Sequence, residues 1–353
     1  MRIATYNIEW FANLFNEDNA LQLDDKWSSR YKVTRAQQIE AIAKVLLALN
    51  ADALMVIEAP NTGHRQSSKI ALEGFAATFG LRTRRALMGF ASETQQEITL
   101  LYDPDKLEAQ HDPIGAAENG DDTVEAPRFD GALRIDLDVD NVAETIRFSK
   151  PPLEVLLTPK GGTPFRLIGV HVKSKSPHGA RSPAETLRLA IENRRKQLAQ
   201  CIWLRRRVDY HLDRGEPVIV LGDFNDGPGI DEYEKLFGHS GVEVVLGRDR
   251  PAERRLYDPS AEVVLSPRPH ARSTTSRFYL PDQKRFLNAL LDYIMISPDL
   301  RDRAEGWRIW HPFDDPKCYN NPELRAALLD ASDHFPVSLD LRIRGLENST
   351  ETA

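Results

Sequence analysis

The hydrophobic positions of this 353-residue chain follow two periods that alternate along its whole length. Short and nearly continuous apolar runs, typical of buried strands, recur at intervals. These runs cover residues 2–8, 53–57, 97–102, 153–157, 165–172, 217–221, 290–296 and 335–343. Between many of them apolar residues recur at helical spacing, so the pattern predicts strands in alternation with helices.

The predicted helices carry start and stop signals. Residues 34–37 (TRAQ) have the form of a capping box, and a second helix is expected over residues 67–79. The longest helix is expected over residues 183–213, with a core stripe formed by Leu187, Ile191, Leu198, Ile202 and Val208. Arg194 falls on this stripe, which predicts a buried ion pair, whereas residues 205–207 (RRR) are expected to face solvent.

Composition narrows the class of protein without indicating its chemistry. Hydrophobic residues make up 41% of the chain and charged residues 28%, as in ordinary soluble domains. No secretory signal is visible, and no stretch reaches the roughly 20 apolar residues of a membrane span. We therefore expect a cytoplasmic protein with one domain over residues 1–346 and a frayed tail over 347–353. The net charge of −7 means that binding to nucleic acid would need a local basic patch.

Polar residues able to carry chemistry stand at the ends of the predicted strands. They are Asn7, Glu58, His171, Asp223 and Asn225, which end or follow apolar runs, and Asp292, Asp333 and His334, which begin them. Taken singly, each has a structural interpretation, because Asn and Asp favour turns and a lone histidine is often packed in a core. Buried carboxylates and amides need partners or a metal, however. So many such placements predict one polar site at one edge of the sheets.

The segments around these residues resemble the endonuclease/exonuclease/phosphatase superfamily. The matching segments are TYNIEW, VIEAP, IGVHVKSK, VLGDFND, ALLDYIMIS and SDHFPVSLDL, which together span residues 5–341. The combination of GDFN with a late SDH is the most specific of these signals. The resemblance implies an α/β fold, a four-layer α/β sandwich in which two mixed β-sheets pack face to face with helices on the outside. This agrees with the alternation of strands and helices.

The resemblance also implies a metal centre. Glu58 looks like the principal metal-binding carboxylate, and Asp333 and Glu9 resemble further metal-contacting or supporting positions. An all-oxygen site that retains water and a substrate phosphate suits Mg²⁺, with Mn²⁺ as an alternative.

The remaining matched residues receive catalytic roles from the same resemblance. Asp223 is placed to orient or deprotonate the attacking water, and Asn7 and Asn225 would donate hydrogen bonds to phosphate oxygens. Asp292 looks like the partner that orients His334, which then stabilises the phosphoryl group during in-line attack.

A histidine at position 171 distinguishes between branches of the superfamily. It resembles the deoxyribonuclease and sphingomyelinase branches, where this residue assists phosphate binding or leaving-group protonation, whereas abasic-site enzymes carry a carboxylate there. The deoxyribonuclease branch supports its histidine with a glutamate, for which Glu97 is the nearest candidate in this sequence.

Cations near the expected site can contact a substrate or serve the fold. Lys173 is predicted to contact a phosphate, and Lys175 is expected to be a solvated loop charge. Residues 266–288 mix cations with aromatic residues, among them Arg277. Such a segment can hold a nucleic acid strand by charge and stacking, or bind a phosphorylated small molecule, or simply pack as a loop.

Three functions of different classes are compatible with these features. The first is a Mg²⁺-dependent phosphodiesterase that uses an activated water, most simply a nuclease with nucleic acid among its partners. The second is a phosphatase or phospholipase-type hydrolase of inositol phosphates or lipid headgroups. The third is a binding module with an inactive site, which a missing ligand or histidine would have favoured, and none is missing.

Overall fold

The computed structural model describes residues 1–116, 126–137, 143–177, 179–227, 238–266, 273–280 and 284–343. The tail predicted at 347–353 lies outside these ranges, as does part of the basic and aromatic segment 266–288. Within the described part of the chain no helix is both long and apolar enough to cross a membrane.

Each predicted apolar run overlaps a strand, and the structure adds several strands that the pattern did not predict. In chain order the strands are β1 (Arg2–Asn7), β2 (Ala53–Ala59), β3 (Arg85–Met88), β4 (Glu97–Tyr102), β5 (Leu107–His111), β6 (Leu133–Ile135), β7 (Glu144–Ile146), β8 (Leu153–Pro159), β9 (Phe165–His171), β10 (Val218–Asp223), β11 (Ser276–Leu280), β12 (Arg285–Ala289), β13 (Asp292–Ile296), β14 (Ala304–Ile309) and β15 (Val337–Leu341).

The α-helices occupy the segments between the strands. They are α1 (Arg35–Leu49), α2 (Ser68–Phe79), α3 (Pro183–Asp213), α4 (Gly241–Leu246), α5 (Pro259–Leu265), α6 (Pro316–Tyr319) and α7 (Pro322–Ala331). The capping box predicted for α1 is present, since Thr34 accepts from the backbone of Gln37 and Gln37 caps Thr34 in return.

The strands form two mixed sheets. One has the order β14-β15-β1-β2-β4-β3, and the other has the order β13-β10-β9-β8-β5. In the first sheet β1 runs parallel to β2 and antiparallel to β15. In the second sheet β9 and β10 are parallel, and β13 is antiparallel to β10. The pairs β11–β12 and β6–β7 form separate two-stranded sheets.

Three hydrophobic clusters show how the layers pack. Apolar side chains of both sheets form one cluster between the sheets. In this cluster Met55 of β2 packs against Gly169 of β9. A Cβ at position 169 would lie 2.4 Å from the sulfur of Met55, so a glycine is needed at this close approach. The outer face of the first sheet packs against α1, α2 and α7, and that of the second against α3, α4 and α5. The predicted four-layer α/β sandwich is confirmed.

The predicted bounds of α3 are confirmed, but the prediction of which of its side chains face the core was partly wrong. Leu198 and Val208 are buried as expected, but Leu187 is 45% exposed because the first turns of the helix extend beyond the core. The expectation that residues 205–207 face solvent was wrong, since Arg205 and Arg207 are both buried. Three consecutive cations cannot all lie on one face of a helix, and here two of them reach inward to fixed partners.

Arg207 is held by acceptors that sequence spacing does not reveal. Its guanidinium pairs with the buried carboxylate of Glu154 and donates to the carbonyl oxygens of Ala126 and Pro127 at 3.1 and 3.0 Å. It also lies 5.0 Å from the ring centroid of Phe129. These contacts tie α3 to the second sheet and to the loop that precedes β6.

We expect Arg207→Met to lower the free energy of unfolding by about 3–5 kcal/mol, because it leaves the carboxylate of Glu154 buried without its cation. Denaturant titration measures the change. Arg188→Met is the matched control, since the Arg188–Glu192 pair lies on the exposed part of the same helix and should contribute less than about 0.5 kcal/mol. An equal effect of both substitutions would contradict the structural role of Arg207.

Candidate functional site

Three of the predicted residues lie side by side at one edge of the second sheet. Asp223, the last residue of β10, is in register with His171 at the end of β9 and with Asp292 at the start of β13. Asn7 ends β1 in the other sheet, and its side-chain amide donates to Asp223 Oδ2 at 3.0 Å. The site therefore lies where the two sheets face each other, which explains why polar residues at strand ends come together.

His334 and Asp292 form a buried pair. The imidazole Nδ1 lies 2.8 Å from Asp292 Oδ2, and the ring also meets Phe278 edge-on at 5.4 Å between centroids. Burial by itself would lower the pKa of His334, but the carboxylates of Asp292 and Asp223 raise this pKa well above its usual value. Nδ1 then donates to Asp292, and a charged Nε2–H is available toward the site.

Asp223 is a buried carboxyl group surrounded by donors. Burial raises its pKa from the usual 3.8 to about 7, although His334 opposes this shift. The backbone N–H of Asn225 donates to Asp223 Oδ1 at 2.7 Å. The preceding Gly222 has φ +137°, and a Cβ there would lie 2.1 Å from the carbonyl oxygen of Val170. The glycine of the GDFN segment is thus required by the neighbouring strand.

Glu58 occupies an unusual backbone position. It is the extra residue of a β-bulge between β2 and β4, with φ +61°, and its carboxylate accepts from Gln96 Nε2 at 2.7 Å. Burial raises the pKa of Glu58, while Lys150 and His334 oppose the rise. The bulge turns this carboxylate out of the sheet and into the site, a conformation of the kind found at functional positions.

Glu9 and Asp333 lie on the side of Glu58 that faces α7. Glu9 forms an ion pair with Arg30, yet burial and the nearby carboxylate of Asp333 raise its pKa to about 7. Ser332 joins the two segments, because its hydroxyl donates to the carbonyl oxygen of Asn7 at 2.8 Å and accepts from the N–H of Glu9 at 3.0 Å.

The residues of this site fit a metal ion. Within the described part of the chain, potential ligand atoms of Asp223, Asp292 and His334 lie within 4.8 Å of one another, although His334 could offer one only in its neutral form. Asn7 Oδ1 and Asp292 Oδ1 are buried without a hydrogen-bond partner among the described residues. The predicted ligands Glu58, Asp333 and Glu9 adjoin this cluster, and burial together with the carboxylate of Asp333 raises the pKa of Glu9 and of Glu58, but their own ligand atoms do not converge as closely. Excess negative charge with unpaired oxygens is what a cation would offset.

His171 has a partner that the sequence did not suggest. Its Nδ1 lies 3.4 Å from Lys150 Nζ, and its Nε2 lies 3.6 Å from Asp223 Oδ2. Glu97, the candidate acidic partner, instead accepts from the backbone N–H groups of Thr62 and Ser92 at 3.1 and 2.8 Å. The carboxylate of Glu97 is therefore committed to a loop rather than to the histidine.

The surroundings of the cations after His171 differ in part from the prediction. The expectation that Lys175 is a solvated charge was wrong, since its Nζ lies 2.7 Å from the buried carboxylate of Asp226 and its side chain is 15% exposed. Arg194 also contacts Asp226, at 2.9 Å, so its predicted buried ion pair is confirmed. Lys173 has a half-buried side chain with a lowered pKa, caused by burial and by Lys196.

The hairpin β11–β12 borders the site through Arg277. The backbone N–H of Arg277 donates to the carbonyl oxygen of Asp333 at 2.7 Å. Its guanidinium lies 4.0 Å from the ring centroid of Phe286 and 4.9 Å from that of Phe313. Tyr279 and Phe286 are each about half exposed, with ring centroids 5.2 Å apart. An aromatic and cationic surface therefore stands beside Asp333 and His334.

A polar groove of about 460 Å³ lies next to the loop that holds Gln96. Its walls are mostly amides and hydroxyls with one exposed indole, from Asn13, Gln22, Trp27, Ser28, Ser29, Asn61, Gln66 and Gln95. The cation among its lining residues, Arg35, is paired with Asp24. The groove therefore offers neutral hydrogen-bonding groups.

Three residues of the site were not among the predicted ones. Gln96 and Arg30 lie in loops without a recognisable sequence signal, and they contact Glu58 and Glu9. Lys150 was recognisable only as a cation that precedes a strand next to that of His171. Its contact with His171 Nδ1 depends on how the loop before β8 packs against the end of β9.

Comparison with known proteins identifies the family. Residues 4–334 match the endonuclease/exonuclease/phosphatase family, which is nearly the whole chain. This chain belongs to that family. The family acts on phosphoester bonds, so a phosphoester hydrolase with a candidate metal site is the activity that the membership implies. No curated protein matches the sequence significantly.

Solved structures of the endonuclease/exonuclease/phosphatase family resemble the chain over nearly its full length. A family protein from Bacteroides thetaiotaomicron is 15% identical with a TM-score of 0.51, covering 100% of this chain and 98% of its own. An AP endonuclease from Archaeoglobus fulgidus is 13% identical with a TM-score of 0.49, covering 97% and 99%. A mannosyl-6-phosphatase from B. thetaiotaomicron is 16% identical with a TM-score of 0.47, covering 97% and 99%. The first of these supports the fold.

Proposed function

We propose that this protein is a Mg²⁺-dependent phosphodiesterase, most simply a nuclease. One observation carries the proposal. A carboxyl group whose pKa lies near neutrality, Asp223, stands in one site with a charged imidazole, His334, that Asp292 holds in place. Two groups with pKa values displaced in this way suit a base and a charged hydrogen-bond donor at neutral pH.

Each side chain has a task in attack of water on a phosphate ester. The carboxylate of Asp223 accepts the proton of the attacking water. His334 donates to a non-bridging phosphate oxygen through Nε2, since Nδ1 is held by Asp292. Asn7 and Asn225, whose amides already contact Asp223, donate to the oxygens of the same phosphate. A bound Mg²⁺, for which Glu58, Asp333 and Glu9 are the proposed ligands, would supply a positive charge that offsets charge on the phosphate and leaving group.

The hairpin beside His334 favours a nucleic acid substrate. The rings of Tyr279 and Phe286 are about half exposed and can stack with bases, and the guanidinium of Arg277 beside Phe286 suits a neighbouring phosphate. Because the protein is acidic overall, such a local surface is what binding of a nucleic acid strand requires.

The polar groove favours a second candidate. Its neutral amides and hydroxyls suit the hydroxyl groups of a phosphorylated polyol, such as an inositol phosphate, better than they suit a polyanionic strand. This observation keeps a phosphatase as the alternative function.

Substrate assays with and without metal test both candidates. We expect the purified protein to hydrolyse plasmid DNA, RNA or a generic phosphodiester in Mg²⁺, and to lose this activity in EDTA and regain it when Mg²⁺ is restored. Faster hydrolysis of inositol phosphates than of any diester would favour the alternative. Activity that is indifferent to EDTA, or no hydrolysis of any of these substrates, would refute the central claim.

A further inference from the structure

A chain of side-chain contacts joins the proposed metal carboxylate to the site histidine. Gln96 Nε2 donates to Glu58 Oε2 at 2.7 Å, and Gln96 Oε1 accepts from Lys150 Nζ at 2.7 Å. Lys150 Nζ lies 3.4 Å from His171 Nδ1, and His171 Nε2 lies 3.6 Å from Asp223 Oδ2. Five side chains from five separate segments are thus connected across the site.

With Lys150 as an ammonium group and Glu58 as a carboxylate, the directions of the three closest contacts in this chain are fixed. An ammonium group can only donate and a carboxylate can only accept, so the amide of Gln96 has one orientation that satisfies both neighbours. By the same argument His171 Nδ1 can only accept from Lys150, and the ring proton must then be on Nε2. A ring that accepts through Nδ1 carries one proton and is therefore neutral, and burial near the cations Lys150 and His334, which lowers the pKa of His171, agrees with this.

The backbone supports the same arrangement. Gln96 has φ +65°, as does its neighbour Gln95 at +67°, and its N–H donates to Asn61 Oδ1 at 2.8 Å. Two consecutive non-glycine residues in the left-handed region are costly and persist only where contacts hold them. Here the result is an amide aimed between Glu58 and Lys150.

We propose that Lys150 and Gln96 are positioning residues that hold His171 as the neutral Nε2–H tautomer, directed at Asp223 and the reacting phosphate, and couple it to Glu58. The role of His171 toward phosphate rests on the proposed function, whereas its tautomer is inferred from its contacts alone. A carboxylate partner would place the proton on Nδ1 and leave Nε2 as an acceptor. With a lysine in that place, Nε2 carries the ring proton, so His171 can donate a hydrogen bond to phosphate through this nitrogen.

Long-range ¹H–¹⁵N spectra of the histidine rings test the tautomer directly, in metal-free and in Mg²⁺-loaded protein at pH 8. The signal of His171 is assigned by its absence from His171→Gln. We expect the Nε2–H tautomer in the wild type and in Lys150→Arg, which keeps a cationic donor, and a mixture of tautomers in Lys150→Met. Lys173→Met is the matched control, since it removes a neighbouring lysine that does not contact the ring, and it should leave the tautomer unchanged.

Kinetics supply a second measurement. Lys150→Met should lower kcat about 10- to 100-fold, as loss of a supporting contact does, with Lys150→Arg restoring part of it. An Nδ1–H or doubly protonated His171 in the wild type, or a tautomer unaffected by Lys150→Met, would overturn the inference. Because the spectra need no substrate, a correct tautomer in a protein that hydrolyses nothing would instead count against the proposed function alone.

Discussion

Substituting His334 by alanine is expected to lower kcat by about 10³-fold, one of the two largest effects of a single change in this site. The imidazole combines two properties that alanine cannot supply. It carries a positive charge that Asp292 and Asp223 stabilise, and it presents Nε2–H in a fixed direction because Nδ1 is held by Asp292 at 2.8 Å. Both matter most when charge builds up on the phosphate oxygens in the transition state.

Single-turnover rates and circular dichroism separate loss of chemistry from loss of fold. His211→Ala is a matched control, since this histidine is equally buried and pairs with a carboxylate, Glu216 at 2.6 Å, but lies outside the site. It should cost stability and little rate in the protein that remains folded. Near-normal rates in folded His334→Ala would show that the imidazole does not act on the phosphate.

Asp223→Asn is expected to lower kcat/KM by about 10³-fold and to remove the acidic limb of the pH profile. The carboxylate form acts as the base, so the rate should rise with pH as Asp223 loses its proton and then level off. Burial places the pKa of this group at about 7 in the metal-free protein. A cation bound beside Asp223 stabilises the carboxylate form and so lowers the pKa of this group. Saturating Mg²⁺ should therefore move the acidic limb of the profile to lower pH.

Rates measured between pH 5 and 9 at fixed Mg²⁺ check this expectation. The Asp223→Asn profile should be flat across the range in which the wild-type rate rises. A limb that persists unchanged in this variant would assign the titration to another group, such as Glu9, whose pKa is also raised to about 7. Asp258→Asn is a useful control, because Asp258 is a buried carboxyl with a raised pKa that caps α5 and accepts from the N–H of Ile294 instead of contacting Asp223 or His334.

Much of the fold was predictable because each strand and helix carries its own signal. Apolar runs located most strands of both sheets, although not β3, β5 and β14, and capping residues such as Thr34 located helix starts. The site could be predicted as well, because the carboxyl ends of β9 and β10 lie at one edge of a sheet and β13 begins there. Register then puts His171, Asp223 and Asp292 side by side.

The features that were missed depend on contacts between distant segments. Arg207 looks like a surface cation until Glu154 is placed opposite it, 53 residues away. The bulge at Glu58 and the left-handed backbone of Gln96 follow from how a loop closes over the site, and local sequence does not encode them. The location in the cytoplasm and the tail beyond residue 346 stay predictions.

The pairing of the first strand with the last has a consequence for synthesis of the protein. β1 lies between β2 and β15, and the amino group of Met1 donates to the carbonyl oxygen of Leu341 at 2.8 Å. Asn7 and His334 are therefore far apart in sequence although both belong to the site. A polypeptide still emerging from the ribosome that has Asn7, Glu58 and Asp223 but has not yet reached His334 lacks both the imidazole and the strand that pairs with β1. The site can therefore assemble only after β15 has been synthesised and has paired with β1.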